Sequence, residues 1–179
     1  MSQLSRQDQS TLLQIARDSV QAHLANQSLE LPSDLSGDLQ ERRSVFVSIH
    51  HGNNLRGCVG TVDPPGPLYQ SVAGCAVAAA SRDSRFKPLQ LSEMSEVEFE
   101  ISVLSSIEDV ADLRSIEVGT HGLIVSRGNS RGLLLPQVAV QHQWDREQFL
   151  GETCRKAGLP PTAWKQGATI QRFTAEVFP

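Results

Sequence analysis

The stretch VEFEISVL, residues 97–104, shows the most regular alternation of apolar and polar side chains in the chain. In an extended strand, successive side chains point to opposite faces of the sheet. One face is then fully apolar and consists of Val97, Phe99, Ile101 and Val103. The opposite face is more polar and consists of Glu98, Glu100, Ser102 and Leu104. The pattern predicts a strand with one face on a hydrophobic core, around which the rest of the fold is arranged.

A hairpin is predicted before this strand. In residues 44–49 every second residue is a branched aliphatic, HGNN at residues 51–54 is a turn signal, and DPPGP at residues 63–67 ends the unit. The face of the first strand directed to the core would carry Val45, Val47 and Ile49. Residues 44–62 are therefore predicted to form a β-hairpin.

Three segments carry helix signals. From Ser5 to the mid-twenties, apolar residues recur three and four positions apart, and Ser5 begins a capping-box pattern. Residues 68–82 show a second helical pattern, whose small side chains suit close packing against a sheet. A third helix is predicted after Asp145, which forms a capping box with Gln148, and Gly158 is predicted to end it.

Two further strand signals complete the fold prediction. HGLIVSRGNSRGLLLPQ, residues 121–137, predicts a hairpin that turns at residues 128–130, and ATIQRFTAEVF, residues 168–178, predicts one last strand. Without a regular βαβ rhythm, the chain is predicted to be α+β, with a mostly antiparallel sheet packed by helices. Its 179 residues suit one domain, with residues 1–27 as an N-terminal helix and residues 28–43 as a surface connection.

The composition argues against several classes of protein. A net charge of −4 argues against binding along DNA or RNA, which needs many basic groups to neutralise phosphates. The polar N-terminus and the absence of a long apolar run predict no signal peptide and no membrane span. Reduced thiols in a cytoplasm are the simplest interpretation of the three widely spaced cysteines, Cys58, Cys75 and Cys154. We expect Cys75 and Cys154 to be core residues.

Cys58 stands between two glycines in the stretch LRGCVG, residues 55–60. In a strand, Arg56, Cys58 and Gly60 would share one face, and the Arg56 guanidinium would lower the thiol pKa. Glycine within a strand marks a bulge or a close approach by another backbone or a ligand. The alternative is a small buried cysteine that only fills space.

Other candidate residues carry weaker signals. No HxxH, HxxxH or HExxH spacing occurs, so no metal site is predicted, and the absence of GxGxxG and GxxxxGK[ST] argues against nucleotide binding by a standard motif. A histidine could serve as the base for Cys58, and His121 is our choice. Glu100, if covered, would need a cation or hydrogen-bond donors. Arg85 either ends a helix or is presented to a cleft.

Five ordered motifs, spanning nearly the whole chain, resemble the AMMECR domain family, whose bacterial and archaeal members are labelled AmmeMemoRadiSam system protein A. The motifs are LRGCVGT, SRDSRFKPL, EFEISVLS, GTHGLIVSRG with RGLLLPQVA, and WDREQFLGETCRKAGL. The resemblance implies an α+β fold with a larger part built from both chain ends, a smaller subdomain, and a cleft that contains LRGCVG. Carried over by motif position, the residues of interest are Leu55, Arg56, Gly57, Cys58, Gly60, Asp83, Arg85, Phe86, Glu100, His121, Gly122, Pro136 and Gln137.

Two functions follow as hypotheses. In the first, Cys58 is the nucleophile of a group-transfer or hydrolytic enzyme; Arg56 and Arg85 orient an anionic substrate group, and Glu100 or His121 moves protons. In the second, the chain is a non-catalytic binding or adaptor protein. The family label suggests a Memo-like protein and a radical-SAM protein as partners, and it leaves the cofactor unknown.

Overall fold

The computed structural model describes residues 3–179 and divides the chain into two compact units. Unit 1 comprises the described residues up to Val103 together with Glu176–Pro179, and unit 2 comprises Leu104–Ala175. The strands are β1 Val45–His51, β2 Asn54–Thr61, β3 Val97–Leu104, β4 Glu108–Asp109, β5 Gly122–Arg127, β6 Ser130–Leu134, β7 Thr169–Phe173 and β8 Ala175–Phe178. The α-helices are α1 Arg6–Leu24, α2 Gly37–Gln40, α3 Leu68–Ser81, α4 Pro136–Gln141 and α5 Arg146–Lys156. Short 3-10 helices occupy Leu91–Ser95, Leu113–Ser115 and Ala163–Lys165.

Unit 1 is built on a sheet with the strand order β2-β1-β3-β8. The predicted apolar face of β3 is buried, and Ile101 has no exposed surface. Helix α3 packs on β1 and β2, and α1 packs on α3, so the apolar face of the sheet is covered. Burying these side chains away from water is the main force that holds the unit together. The predicted α+β class with antiparallel pairing is confirmed.

The first helix begins where its capping residue predicts. The Ser5 hydroxyl accepts a hydrogen bond from the Asp8 backbone N–H at 3.1 Å, and α1 starts at Arg6. The capped end satisfies an amide that has no partner inside the helix.

Unit 2 contains a second sheet, with the strand order β4-β7-β5-β6. Helix α5 packs against β5 and β6, and Phe149 and Leu150 of this helix are almost completely buried. The predicted capping box is present: the Asp145 side chain accepts from the Gln148 N–H, and the Gln148 side chain accepts from the Asp145 N–H.

Three local predictions were wrong or incomplete. The segment 168–178 is two strands, β7 and β8, which pair in different sheets on either side of Thr174. The connection 28–43 includes α2, whose Leu39 is buried in the core of unit 1. Residues 136–141 form α4, whereas the predicted hairpin extends to residue 137 and no helix is predicted here.

The predicted 128–130 turn is close to the observed one, because β6 already begins at Ser130. Cys75 and Cys154 are buried, as predicted. Within residues 3–179, no helix is both long enough and apolar enough to span a bilayer.

Candidate functional site: the Cys58 cluster

A β-bulge decides which way Cys58 points. From the turn, His51 pairs with Asn54 and His50 with Leu55, but Ile49 then pairs with Gly57, so that Arg56 is the extra residue. An unbroken register would set Cys58 opposite Val47, which is a core position. With the bulge, Cys58 pairs instead with Ser48, on the polar face of the sheet.

A row of polar side chains crosses three strands at this point. Cys58 pairs with Ser48, and Ser48 pairs with Glu100 on β3. Directly paired residues on neighbouring strands have side chains close enough to interact. We call Cys58, Ser48, Glu100, Asp83 and Arg85 the Cys58 cluster; all five belong to unit 1.

Asp83 and Arg85 hold the main chain of Cys58 at the edge of the sheet. The Cys58 backbone N–H donates to Asp83 Oδ2 at 2.9 Å, and Arg85 Nη2 donates to the Cys58 carbonyl at 3.4 Å. The Arg85 guanidinium also donates to both Asp83 oxygens, at 2.9 and 2.7 Å. Asp83 is nearly buried, with 6% of its side chain exposed, whereas 53% of the Arg85 side chain is exposed.

The electrostatics of this clamp are strong. Hydrogen bonds from Arg85 hold the pKa of the Asp83 carboxyl well below its ordinary value. The same pair raises the pKa of Arg85. The Arg85 guanidinium lies 5.3 Å from the centre of the Phe86 ring, within the range of a cation–π contact. Arg85 is therefore a charged, partly exposed group that is fixed in position before any ligand arrives.

The Cys58 thiol is partly exposed, and burial raises its pKa above the ordinary value. The hydrogen bond from Ser48 and the charge of Arg85 oppose this rise, while the charges of Asp83 and Glu100 add to it. The net direction contradicts the expectation of a depressed pKa. Desolvation outweighs one neighbouring cation because that cation is already paired with Asp83.

Arg56 does not supply the cation that the sequence interpretation assigned to it. Its guanidinium donates to both carboxylate oxygens of Glu93, at 2.9 and 3.1 Å, and to the Lys87 carbonyl at 2.7 Å. Because Arg56 is the extra residue of the bulge, its side chain does not share a strand face with Cys58. The guanidinium that acts on the thiol is that of Arg85.

The two glycines that flank Cys58 serve packing within unit 1. A Cβ atom on Gly57 would lie 2.2 Å from the Ala79 carbonyl oxygen of α3, and one on Gly60 would lie 2.3 Å from the Phe46 ring. They permit the close approach of a helix and of an aromatic ring. Leu55, in contrast, is an exposed apolar residue.

Four of the residues carried over from the family lie in unit 2. The His121 ring accepts a hydrogen bond at Nδ1 from the Glu117 backbone N–H at 2.9 Å. Gly122 leaves room for the Phe173 ring, since an added Cβ would lie 2.2 Å from it. Pro136 begins α4, and the side-chain Oε1 of the adjacent Gln137 is buried with no hydrogen-bond partner in the described chain. The structure therefore places His121 in the unit that does not contain Cys58.

Ser48 is the member of the cluster that sequence reasoning missed. Its hydroxyl is hydrogen-bonded to the Cys58 sulfur, and its residue is 7% exposed. The alternation of residues 45–49 indicates that Ser48 faces away from the core. Its position opposite Cys58 depends on the β-bulge, which the alternation does not reveal. No group of three or more His, Cys, Asp or Glu side chains that could hold a metal ion occurs within residues 3–179.

The fold and this cluster define an α+β protein with a clamped thiol site at a sheet edge. A model of the AMMECR1 family matches residues 13–178. A Methanothermobacter thermautotrophicus protein is 44% identical, over 98% of this chain and 95% of its own length. A Thermofilum pendens protein is 41% identical, over 99% and 92% respectively.

A solved structure agrees with these sequence matches. The crystal structure of an uncharacterised protein from Pyrococcus horikoshii superposes with a TM-score of 0.88 at 40% identity, covering 93% of this chain and 88% of that one. The chain belongs to the AMMECR1 family.

Proposed function

We propose that the protein is a non-catalytic binding protein, in which the Cys58 cluster receives a polar group of a ligand or partner. The observation that carries this proposal is the combination of a raised thiol pKa with a rigidly held, half-exposed Arg85. A thiol that stays protonated at neutral pH is a poor nucleophile. A guanidinium already fixed by Asp83 and Phe86 loses little side-chain freedom when it donates to a ligand.

The charges of the cluster indicate what kind of group it would bind. Arg85 is neutralised by Asp83, and Glu100 adds a negative charge. This balance does not favour a lone anion. It favours a group that accepts a hydrogen bond from Arg85 and donates one to Ser48 or Glu100, such as the amide of a peptide. The Memo-like and radical-SAM partners that the family label suggests remain predictions.

Mass spectrometry of the protein purified from its native cells tests the proposal. Under non-denaturing conditions we expect a mass gain that is lost on denaturation, because binding is noncovalent. Arg85→Ala should abolish the gain, and Arg82→Ala is the matched control because Arg82 is an exposed arginine three residues earlier. Retention of the full gain in Arg85→Ala would refute the assignment to this cluster.

A cysteine-dependent enzyme is the second candidate. It is supported by the Ser48 hydrogen bond and the Arg85 charge, both of which favour the thiolate form of Cys58. In that mechanism the Cys58 proton passes to Glu100 and the sulfur attacks the carbonyl carbon of an ester or amide. The bond to the alcohol or amine breaks, and this leaving group takes the proton from Glu100. Water then hydrolyses the thioester, which releases a carboxylic acid and restores the thiol. A covalent adduct that persists in denaturing mass spectra and disappears in Cys58→Ser would establish this candidate over a binding protein.

A further inference from the structure

A groove of about 510 Å³ lies in unit 1 beside the end of β2. Its walls are the end of β2, from Val59 to Thr61, the Pro65–Gly66 loop, and helix α3 between Gln70 and Ala78. The volume falls within the usual range for small-molecule sites, about 300–1,000 Å³. None of its lining residues belongs to the Cys58 cluster.

Gly74 faces this groove from the middle of the 14-residue helix α3. Glycine inside a helix is unfavourable relative to alanine, because it loses more backbone freedom on folding. Packing does not require it, since a Cβ atom at this position would have no atom within 4 Å. The contrast with Gly57, whose Cβ would collide with α3, shows that the two glycines have different roles. An unfavourable residue that packing does not require is typical of a functional position.

Ser71, one turn earlier on the same helix, also lines the groove. Its residue is 8% exposed, and its hydroxyl oxygen is buried with no hydrogen-bond partner within the described chain. Buried hydroxyl groups without a partner are uncommon, because losing water costs free energy that only a new hydrogen bond restores. A ligand in the groove would supply that partner.

The groove is electrically neutral. No Asp, Glu, Lys or Arg side chain lines it within residues 3–179. Burial raises the pKa of the Cys75 thiol, which also lines it, to about 11, so the thiol is uncharged at neutral pH. An ionised ligand would therefore lose its hydration without gaining a counter-charge.

We propose that this groove binds a small, uncharged and largely apolar molecule that carries one hydrogen-bonding group directed at Ser71. Gly74 keeps the space free, and Val59 with Ala78 gives the apolar contact. The proposal uses no residue of the Cys58 cluster, so that failure of one proposal leaves the other intact.

Amide chemical-shift titration of the full chain tests this proposal with benzamide, and toluene serves as the matched probe without a polar group. We expect saturable shifts at Thr61, Gly66 and Gly74. Gly74→Leu should weaken the binding of both probes about tenfold or more by filling the space. Ser71→Ala should weaken benzamide about two- to tenfold and leave toluene unchanged, because only benzamide uses the hydroxyl.

Two controls separate binding from folding. Gly37→Leu introduces the same side chain at a glycine that also has open space but lies outside the groove, and it should leave both titrations unchanged. Thermal unfolding should show that Gly74→Leu and Ser71→Ala are at least as stable as the parent chain. The proposal is overturned if neither probe gives saturable shifts in the groove, or if the shifts persist in Gly74→Leu.

Discussion

Asp83 acts on two partners at the scale of single residues. It accepts the Cys58 backbone N–H and binds the Arg85 guanidinium, while only 6% of its own side chain is exposed. The outer side of an edge strand has backbone N–H and C=O groups without a partner strand. The Asp83 carboxylate accepts a hydrogen bond from one of these groups, the Cys58 N–H. The position of both the thiol and the guanidinium therefore depends on one ionised oxygen pair.

Asp83→Asn should destabilise the fold by about 1–3 kcal/mol at pH 7, because charged hydrogen bonds are lost in a buried place. The folded-state pKa of Asp83 lies below its unfolded value. The contribution is therefore complete above about pH 4 and is lost as the pH falls toward the folded-state pKa. Urea unfolding at pH 7 and pH 3 measures this.

The exposed carboxylate of Asp34 provides the control for that experiment. Asp34→Asn should change the free energy of unfolding little at either pH. A difference between wild type and Asp83→Asn that stays constant from pH 7 to pH 3 would show that the ionised form of Asp83 is not what stabilises the clamp.

The candidate residues themselves were predictable, but their partners were not. The sequence motifs are sufficient to identify Cys58, Asp83 and Arg85. Arg56 pairs with Glu93, which lies 37 positions further along the chain, and it is the extra residue of the β-bulge. The hydrophobic periodicity of the sequence does not show where a bulge occurs. Ser48 was missed for the same reason, since one shifted residue decides whether Gly57 or Cys58 faces it.

Glycines in β2 and α3 make a prediction at the scale of elements. Gly57→Ala should lower the free energy of unfolding by about 1–3 kcal/mol, because the new methyl group collides with the backbone of α3. Gly74→Ala, on the facing helix, should raise it by about 0.5–1 kcal/mol, because alanine favours the helix and meets no atom. Denaturant unfolding measures the free energy of unfolding of both variants. Equal changes in the two variants would contradict the close packing of β2 on α3.

The capping box of α5 makes a second prediction at this scale. Asp145→Ala should cost about 1 kcal/mol, because the Gln148 N–H loses its acceptor. Asp145→Ser should restore most of that stability, since serine also caps helices well. Chemical unfolding would contradict the capping role if the two variants were equally destabilised.

Elements with local signals were predicted well, and those without them were not. Capping residues fixed the starts of α1 and α5, and alternation fixed β3 residue by residue. The break at Thr174 carries no glycine or proline, so that the separation of β7 from β8 follows from tertiary pairing. The two-residue strand β4 is too short to show a period.

At the scale of the whole molecule, the chain leaves unit 1 after β3 and returns to it in β8. β8 pairs with β3 in the sheet of unit 1, and Phe178 is buried in that core. The Glu176 carboxylate accepts from the Leu4 backbone N–H at 3.1 and 3.2 Å. Both chain ends are thus parts of the same unit.

Removal of residues 176–179, which includes most of β8, should destabilise unit 1 and spare unit 2. Amide hydrogen exchange should become faster at Phe99 and Ile101 in β3, because their sheet loses its edge strand. Exchange at Leu123 and Val125 in β5 should be unchanged, since the sheet of unit 2 keeps all its strands. Equal acceleration in β3 and β5 would show that the two units unfold together.

The proposed binding function requires that the Cys58 thiol of the LRGCVG segment stays protonated beside Arg85, as its raised pKa indicates. Alkylation by iodoacetamide across pH, followed at Cys58 by peptide mass spectrometry, tests it most directly. We expect a midpoint above the free-thiol value of about 8.5, and a still higher midpoint in Arg85→Ala but not in Arg82→Ala. A midpoint clearly below that value would contradict the claim and make the cysteine-dependent enzyme the better account.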